Sequence, residues 1–315
     1  MKKILSLLLT VLSITTFASH YAGGDIQYRY IGDSTGINHH YKVILRLYRD
    51  ASGVAMPATT TVTVSSNCYT NQNIPMTQQA GSGLVAPTLF DCVTVGSAGT
   101  KTLEIYTYKG YVTLPGACST FKFWYSNCCR PGGITNINTS NGFGNDGFFF
   151  DANLDNMLGE NSSPIFISEP VRAFCVGNAF NWAQKSVEYD GDSVHYEMIN
   201  CRENAYPNQT NIPFDAGWSA TQPVTSTYFN LNPKTGTISF LPTQQEIDVM
   251  SIKITEYRYD SLYYIWYQVG SASRDMMISI SANCTPAASQ GVVLDYNYPG
   301  QYIDSVTMLP AIDYD

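Results

Sequence analysis

Three carboxylates fall within five residues at Glu188, Asp190 and Asp192, separated by Tyr189 and Gly191. Gly191 permits a tight turn, so the acids can face one another. Hard oxygens spaced this way can converge on Ca²⁺, which takes roughly six to eight oxygens at about 2.3–2.6 Å. The competing reading is a bare acidic β-turn whose side chains accept backbone N–H groups. An EF-hand is excluded, because neither its twelfth-position acid nor its flanking helices are present. The second group with chemical potential is aromatic. Residues 257–267 hold Tyr257, Tyr259, Tyr263, Tyr264, Trp266 and Tyr267. One face of such a hairpin is expected in a core. The other would present Tyr and Trp, residue types enriched at recognition surfaces, with Tyr263 and Trp266 as the candidate ligand contacts. Stacking on sugar rings is the chemistry this allows; coverage of both faces is the alternative.

Nucleophilic and acid–base sites find little support. Gly32-Asp-Ser-Thr-Gly36 matches G-x-S-x-G, but no helix pattern follows Ser34, and the stretch reads as a hairpin turn. Ser193 and His195 share one strand face without a separate acid. His39 and His40 are adjacent, so on a strand they point apart. Asp151 and Asp155 read as solvated turn acids. No phosphate loop occurs, so neither a catalytic nor a cofactor-binding residue is assigned, and Ca²⁺ is the sole candidate cofactor.

Eight cysteines stand at Cys68, Cys92, Cys118, Cys128, Cys129, Cys175, Cys201 and Cys284. An even count in an exported chain reads as disulfides, with connectivity open among about 105 pairings. The expected pairs are Cys68 with Cys92, Cys118 with one of the vicinal cysteines, and Cys175 with Cys284 or Cys201. Cys128 and Cys129 are expected to take different partners rather than each other. Close Cys-x-x-Cys pairs suited to zinc are absent.

The compartment follows from the N-terminus. Met1-Lys2-Lys3 precedes an apolar and hydroxylated run ending at Ala18, the pattern of a secretory signal peptide over residues 1–18. The run is short for a membrane span, and no later stretch is long and apolar enough. No transmembrane segment is therefore expected after signal cleavage. The net charge is −8 and charged residues make up 13% of the chain, which argues against a nucleic-acid partner.

Strand-like alternation must position these groups. Runs at 41–49, 59–65, 101–109, 121–125, 194–199, 237–241, 250–257, 262–269 and 276–281 alternate and are bounded by turn residues. The best helix candidate is the short stretch 243–250. The fold class expected is all-β, with tandem β-sandwich domains. Residues 19–160 form the N-terminal domain and 161–284 the second. Residues 285–315 are a linker and the start of a further β domain, cut short.

Asp190-Gly191-Asp192-Ser193-Val194-His195-Tyr196 resembles the D-G-D-x-L-x-Y element of cadherin-like and dystroglycan-type immunoglobulin-fold modules. Asn161-Ser-Ser-Pro-Ile-Phe166 and Asn232-Pro-Lys-Thr-Gly-Thr-Ile-Ser-Phe-Leu-Pro242 resemble their opening and a later strand. The resemblance implies an immunoglobulin-type second domain, and it implies calcium at Glu188, Asp190 and Asp192. Ser19-His-Tyr-Ala-Gly-Gly-Asp-Ile26, the 41–50 strand and Tyr125-Ser-Asn-Cys-Cys-Arg-Pro131 look like the N-terminal region of large secreted Bacteroidetes adhesins. Glu256-Tyr257-Arg258 and Arg274-Asp275 match their second module. Such proteins end in a gliding-motility-associated or type IX sorting domain. This implies a secreted, cell-surface, non-catalytic adhesin whose modules bind surface glycans or proteins and act as spacers. The rival is the accessory, glycan-binding part of a secreted carbohydrate-active enzyme.

Overall fold

The strand at 40–50 shows how this chain folds. Tyr41, Val43, Leu45 and Leu47 alternate with Lys42, Ile44 and Arg46, and the first four are fully buried. Period-2 alternation of this kind puts one face on a core. The same rule builds most of the molecule, which is all-β and sandwich-type in a computed structural model. The structure describes residues 21–32, 38–85, 103–138, 147–168 and 172–282, with the backbone of 302–303 and 310–311. Among the described residues there is no helix, hence no helix long and apolar enough to cross a membrane.

The strands run β1 (Tyr21–Tyr30), β2 (His40–Asp50), β3 (Thr59–Ser65), β4 (Gln72–Gln78), β5 (Leu84–Val85), β6 (Leu103–Thr113), β7 (Phe121–Asn127), β8 (Phe148–Leu154), β9 (Ile165–Phe166), β10 (Arg172–Cys175), β11 (Phe180–Ala183), β12 (Ser186–Val187), β13 (Ser193–Ile199), β14 (Arg202–Glu203), β15 (Thr210–Asn211), β16 (Ser226–Leu231), β17 (Thr237–Pro242), β18 (Glu246–Asp260) and β19 (Ile265–Ser281). One hydrogen-bonded path orders them β1-β2-β6-β4-β3-β7-β8-β19-β18-β13. Because β1 also pairs with β19, the path closes on itself. A small sheet, β11-β17-β16, covers the C-terminal part, with Trp182, Ile238 and Phe240 buried and Phe174 packed edge-on against Trp182 and Phe240.

β19 organises everything else. One edge pairs with β18 along nearly its whole length. The other edge is shared in turn by β8 at Gly270–Ala272, β1 at Arg274–Met276 and β10 at Ile278–Ser281. The boundary expected near residue 160 falls between β8 and β9, and both the sheet and one core cluster run across it. That cluster joins Tyr28, Phe123 and Phe150 to Phe166, Ile252 and Met276.

Three expectations are corrected. The stretch 243–250 is no helix: Glu246 onward enters β18, where ladder bonds to β19 override local propensity. Residues 265–269 of the run 262–269 belong with 276–281 to one strand, β19, joined through polar residues that are buried rather than looped, while 262–264 form the hairpin turn. The cysteine pairing also differs. Cys68 bonds Cys118, because β3 pairs with β7 and brings their flanking turns to a Cα–Cα distance of 6.1 Å. Cys128 and Cys129 bond each other across a cis peptide bond. They lie just past the end of β7, outside the extended geometry that would point neighbours apart. Cys175 is disulfide-bonded, and Cys201 is a buried free thiol, which removes Cys175–Cys201. Residues 1–18, Ser34, Cys92 and Cys284 lie outside the described residues.

Candidate functional site

Glu188, Asp190 and Asp192 occupy the turn between β12 and β13, with Gly191 at φ 82° supplying the left-handed step. One carboxylate oxygen from each of the three lies within 4.8 Å of the other two. The Glu188 carboxylate accepts the backbone N–H groups of Asp190 and Asp192, each at 2.7 Å. Asp190 accepts the Ser162 N–H at 2.6 Å through Oδ2, and its Oδ1 has no partner among the described residues. Asp192 is gripped by Arg258, which donates Nε at 2.9 Å and Nη2 at 2.7 Å. Both sequence readings therefore have a physical counterpart. The acids converge, and they also satisfy their own turn.

Two more residues complete the cluster. Arg258 also donates to Asn161 Oδ1 at 2.7 Å, and Asn161 Nδ2 donates to Glu256 Oε2 at 2.9 Å. Glu256 is fully buried, and its Oε1 has no partner. Burial pushes this carboxyl well above the usual range, and Glu188, Asp192 and Asp190 add to the rise against the Asn161 bond. The tightness extends to Gly270: a Cβ there would collide with the Glu256 carboxylate and the Asn161 amide. Glu188, Asp190 and Asp192 each offer a hard oxygen, so this donor set suits a hard cation such as Ca²⁺. Arg258 is its internal competitor.

The aromatic hairpin is exposed on both sides at its tip. Tyr263 is 64% exposed and Trp266 54%, with Leu262, Tyr264 and Ile265 also open to solvent. Asp260 Oδ1 accepts the N–H groups of Leu262 and Tyr263 and so fixes the turn. Tyr259 and Trp266 are cross-strand partners whose rings pack at 5.0 Å. The core face expected for this hairpin starts only further down the strands, at Val269.

The weaker candidates do not assemble into a catalytic unit. Ser193 and His195 are exposed on β13, and no hydrogen bond joins them. His39 turns to Glu160 and His40 to Thr113, so the adjacent rings part as expected. Asp151 is not a solvated turn acid. It sits in β8, buried, bonded to Lys122 at 2.6 Å and Arg202 at 2.8 Å. Burial alone would raise its carboxyl, but those cations hold it well below the usual range.

The residues that sequence reasoning missed are Glu256, Asn161 and Arg258 as parts of the acidic site. All three were visible only within longer motifs, because the contacts that join them span 95 to 97 positions.

Nothing matches this chain. Neither a protein-family model, a curated protein nor a solved structure pairs with it. The functional reading therefore rests on the sites themselves.

Proposed function

We propose that the protein is a secreted, surface-associated, non-catalytic adhesin-type module that binds surface glycans or proteins through the tip of the β18–β19 hairpin. The observation that carries this is the run from Leu262 to Trp266, in which every side chain is exposed and none is charged. Tyr and Trp in the open favour contact over solvation, and both can stack on a sugar face. The disulfides Cys68–Cys118 and Cys128–Cys129, with Cys175 also disulfide-bonded, agree with an oxidising compartment. The resemblance to Bacteroidetes adhesins points the same way, towards type IX export and gliding-motility-associated surfaces. A glycan-binding accessory module would use the same hairpin.

In this reading Ca²⁺ binds at Glu188, Asp190 and Asp192 with Glu256, and stiffens the turn against β18. The decisive experiment is adhesion of the purified chain to glycan and protein arrays, with the double variant Tyr263→Ala/Trp266→Ala beside it. Loss of adhesion with an unchanged melting temperature supports the reading. Hydrolysis of glycosidic, ester or peptide substrates above background would replace it with an enzyme.

A further inference from the structure

A second surface is chemically unlike the hairpin. An open pocket of about 500 Å³ lies where β7, β8, β13, β14 and β18 meet, within the size range of small-ligand sites. Lys122, Arg202 and Lys253 line it, in a chain with only 17 Lys and Arg against 25 Asp and Glu. We propose that this pocket binds a carboxylated sugar, of the uronic- or sialic-acid type.

The charge arrangement sets the class of ligand. Lys122 and Arg202 share the single carboxylate of Asp151, which leaves one positive charge over. The Arg202 guanidinium is further held by Ser273 Oγ at 3.0 Å and by the Phe149 ring. It is thus oriented before any ligand arrives, which lowers the cost of ordering it on binding. Lys253 pairs at 3.0 Å with Glu197, whose side chain is 45% exposed. An exposed pair of this kind is worth about 0–1 kcal/mol, so a ligand carboxylate can take the ammonium over.

The neutral lining selects a sugar over a simple anion. Asn200 and Asn211 line the pocket, and their side-chain amides make no hydrogen bond with the described residues. Each amide can both donate and accept, which matches the hydroxyls of a sugar ring. Met198 supplies an apolar wall for the ring's C–H face. A bare inorganic anion would use the cations and leave amides and wall idle.

Position makes this site separable from the hairpin. Lys253 and Asp260 lie seven residues apart on β18, or about 23 Å at the rise of a strand. The proposal goes beyond the hairpin reading and does not depend on it.

The test is an NMR or calorimetric titration of the full chain with D-glucuronate and N-acetylneuraminate, and with D-glucose as the neutral analogue. At least one acidic sugar should bind about tenfold more tightly than glucose, the loss expected for a charge-assisted hydrogen bond. Lys253→Gln should weaken the acidic sugar about tenfold and leave the melting temperature unchanged, since its exposed pair contributes little. Asn200→Ala should weaken it several-fold. Lys122 and Arg202 stay intact in these variants, because they hold the buried Asp151. Equal binding of acid and neutral sugar, no binding of either acid, or indifference to Lys253→Gln would overturn the proposal. Adhesion through the hairpin is read in the separate array experiment, so the two failures are distinguishable.

Discussion

Two sets of buried carboxyls, one on β1, β8 and β19 and one on β18, solve the same problem in opposite ways. Asp25, Asp151 and Asp275 each meet cations. Asp25 takes Arg46 and Arg274, Asp151 takes Lys122 and Arg202, and Asp275 takes Arg130 through a bidentate pair at 2.7 and 2.8 Å. Burial works to raise Asp25, yet its two arginines hold it below the usual range. On β18 the acids have no such partner. Asp248 is fully buried, neither of its oxygens has a hydrogen-bond partner, and its neighbour in charge is Glu246. Burial first, then Glu246, pushes Asp248 up to about 10, so it is protonated at neutral pH. Glu256 lies on the same strand and behaves the same way. Where the few cations of this chain go, buried acids stay charged and tie strands together. Where none goes, the acid keeps its proton.

The largest effect should come from breaking the charged set. Arg130 and Asp275 are 0% and 1% exposed in their side chains. Arg130→Met should cost about 3–5 kcal/mol, because it leaves a buried carboxylate without its counter-ion. Chemical denaturation measures this directly. A loss below about 1 kcal/mol would mean that the Arg130 pair is not what holds these strands together, and the two sets would not differ in kind.

The next effect is a pH slope, and its sign separates the sets. Asp248 has a folded value above its unfolded value. Its contribution is complete below the unfolded range near 4 and is lost as pH rises towards about 10. Asp25 and Asp151 have folded values below their unfolded ones. Their contribution is present above that range and is lost on acidification. Asp248→Asn should flatten the alkaline decline, by up to about 1.4 kcal/mol per pH unit for one proton. Denaturation midpoints at several pH values between 5 and 9 read the slope. An unchanged slope in the variant would assign the decline to other groups.

The difference between the sets also explains what the sequence let one read. β2 was legible because its buried face is apolar at every second residue. β19 was split because Ser271, Ser273, Arg274 and Asp275 look like a loop, and each is buried only because a partner arrives from far along the chain. β4 was passed over because Pro75 sits inside it, although the ladder with β3 accommodates it opposite Thr61. The acidic turn was legible because Glu188, Asp190, Gly191 and Asp192 are local. Its buried member, Glu256, was not, since strand pairing alone brings it there. The disulfides were misread because sequence spacing says nothing of which turns the β3–β7 pairing brings together.

A smaller effect tests whether Glu256 is held for a cation. If Ca²⁺ binds the folded state alone, it adds about 2.7 kcal/mol at a hundredfold excess over its dissociation constant. Melting temperature in millimolar Ca²⁺ should therefore exceed that in EDTA. Asp190→Asn and Glu256→Gln should each abolish the difference, and Glu256→Gln should remain folded in EDTA because the amide needs no proton. Identical melting in Ca²⁺ and EDTA would place Glu256 with Asp248, as an acid that merely stays neutral.

The smallest effect on stability belongs to the hairpin tip, where nothing is buried. Tyr263 is held by the backbone bond to Asp260, not by its ring, and Trp266 packs against Tyr259 within the same hairpin. Removing both side chains takes no apolar surface out of the core, so Tyr263→Ala/Trp266→Ala should stay within about 0.5 kcal/mol of the parent. Adhesion should fall at the same time, since the contact surface itself is gone. The pairing of a silent stability change with a large binding change is what distinguishes an outward-facing platform from a stretch of core. A drop in stability comparable to that of Arg130→Met would show that the rings support the sheet, and the contact would then have to be sought elsewhere on the molecule.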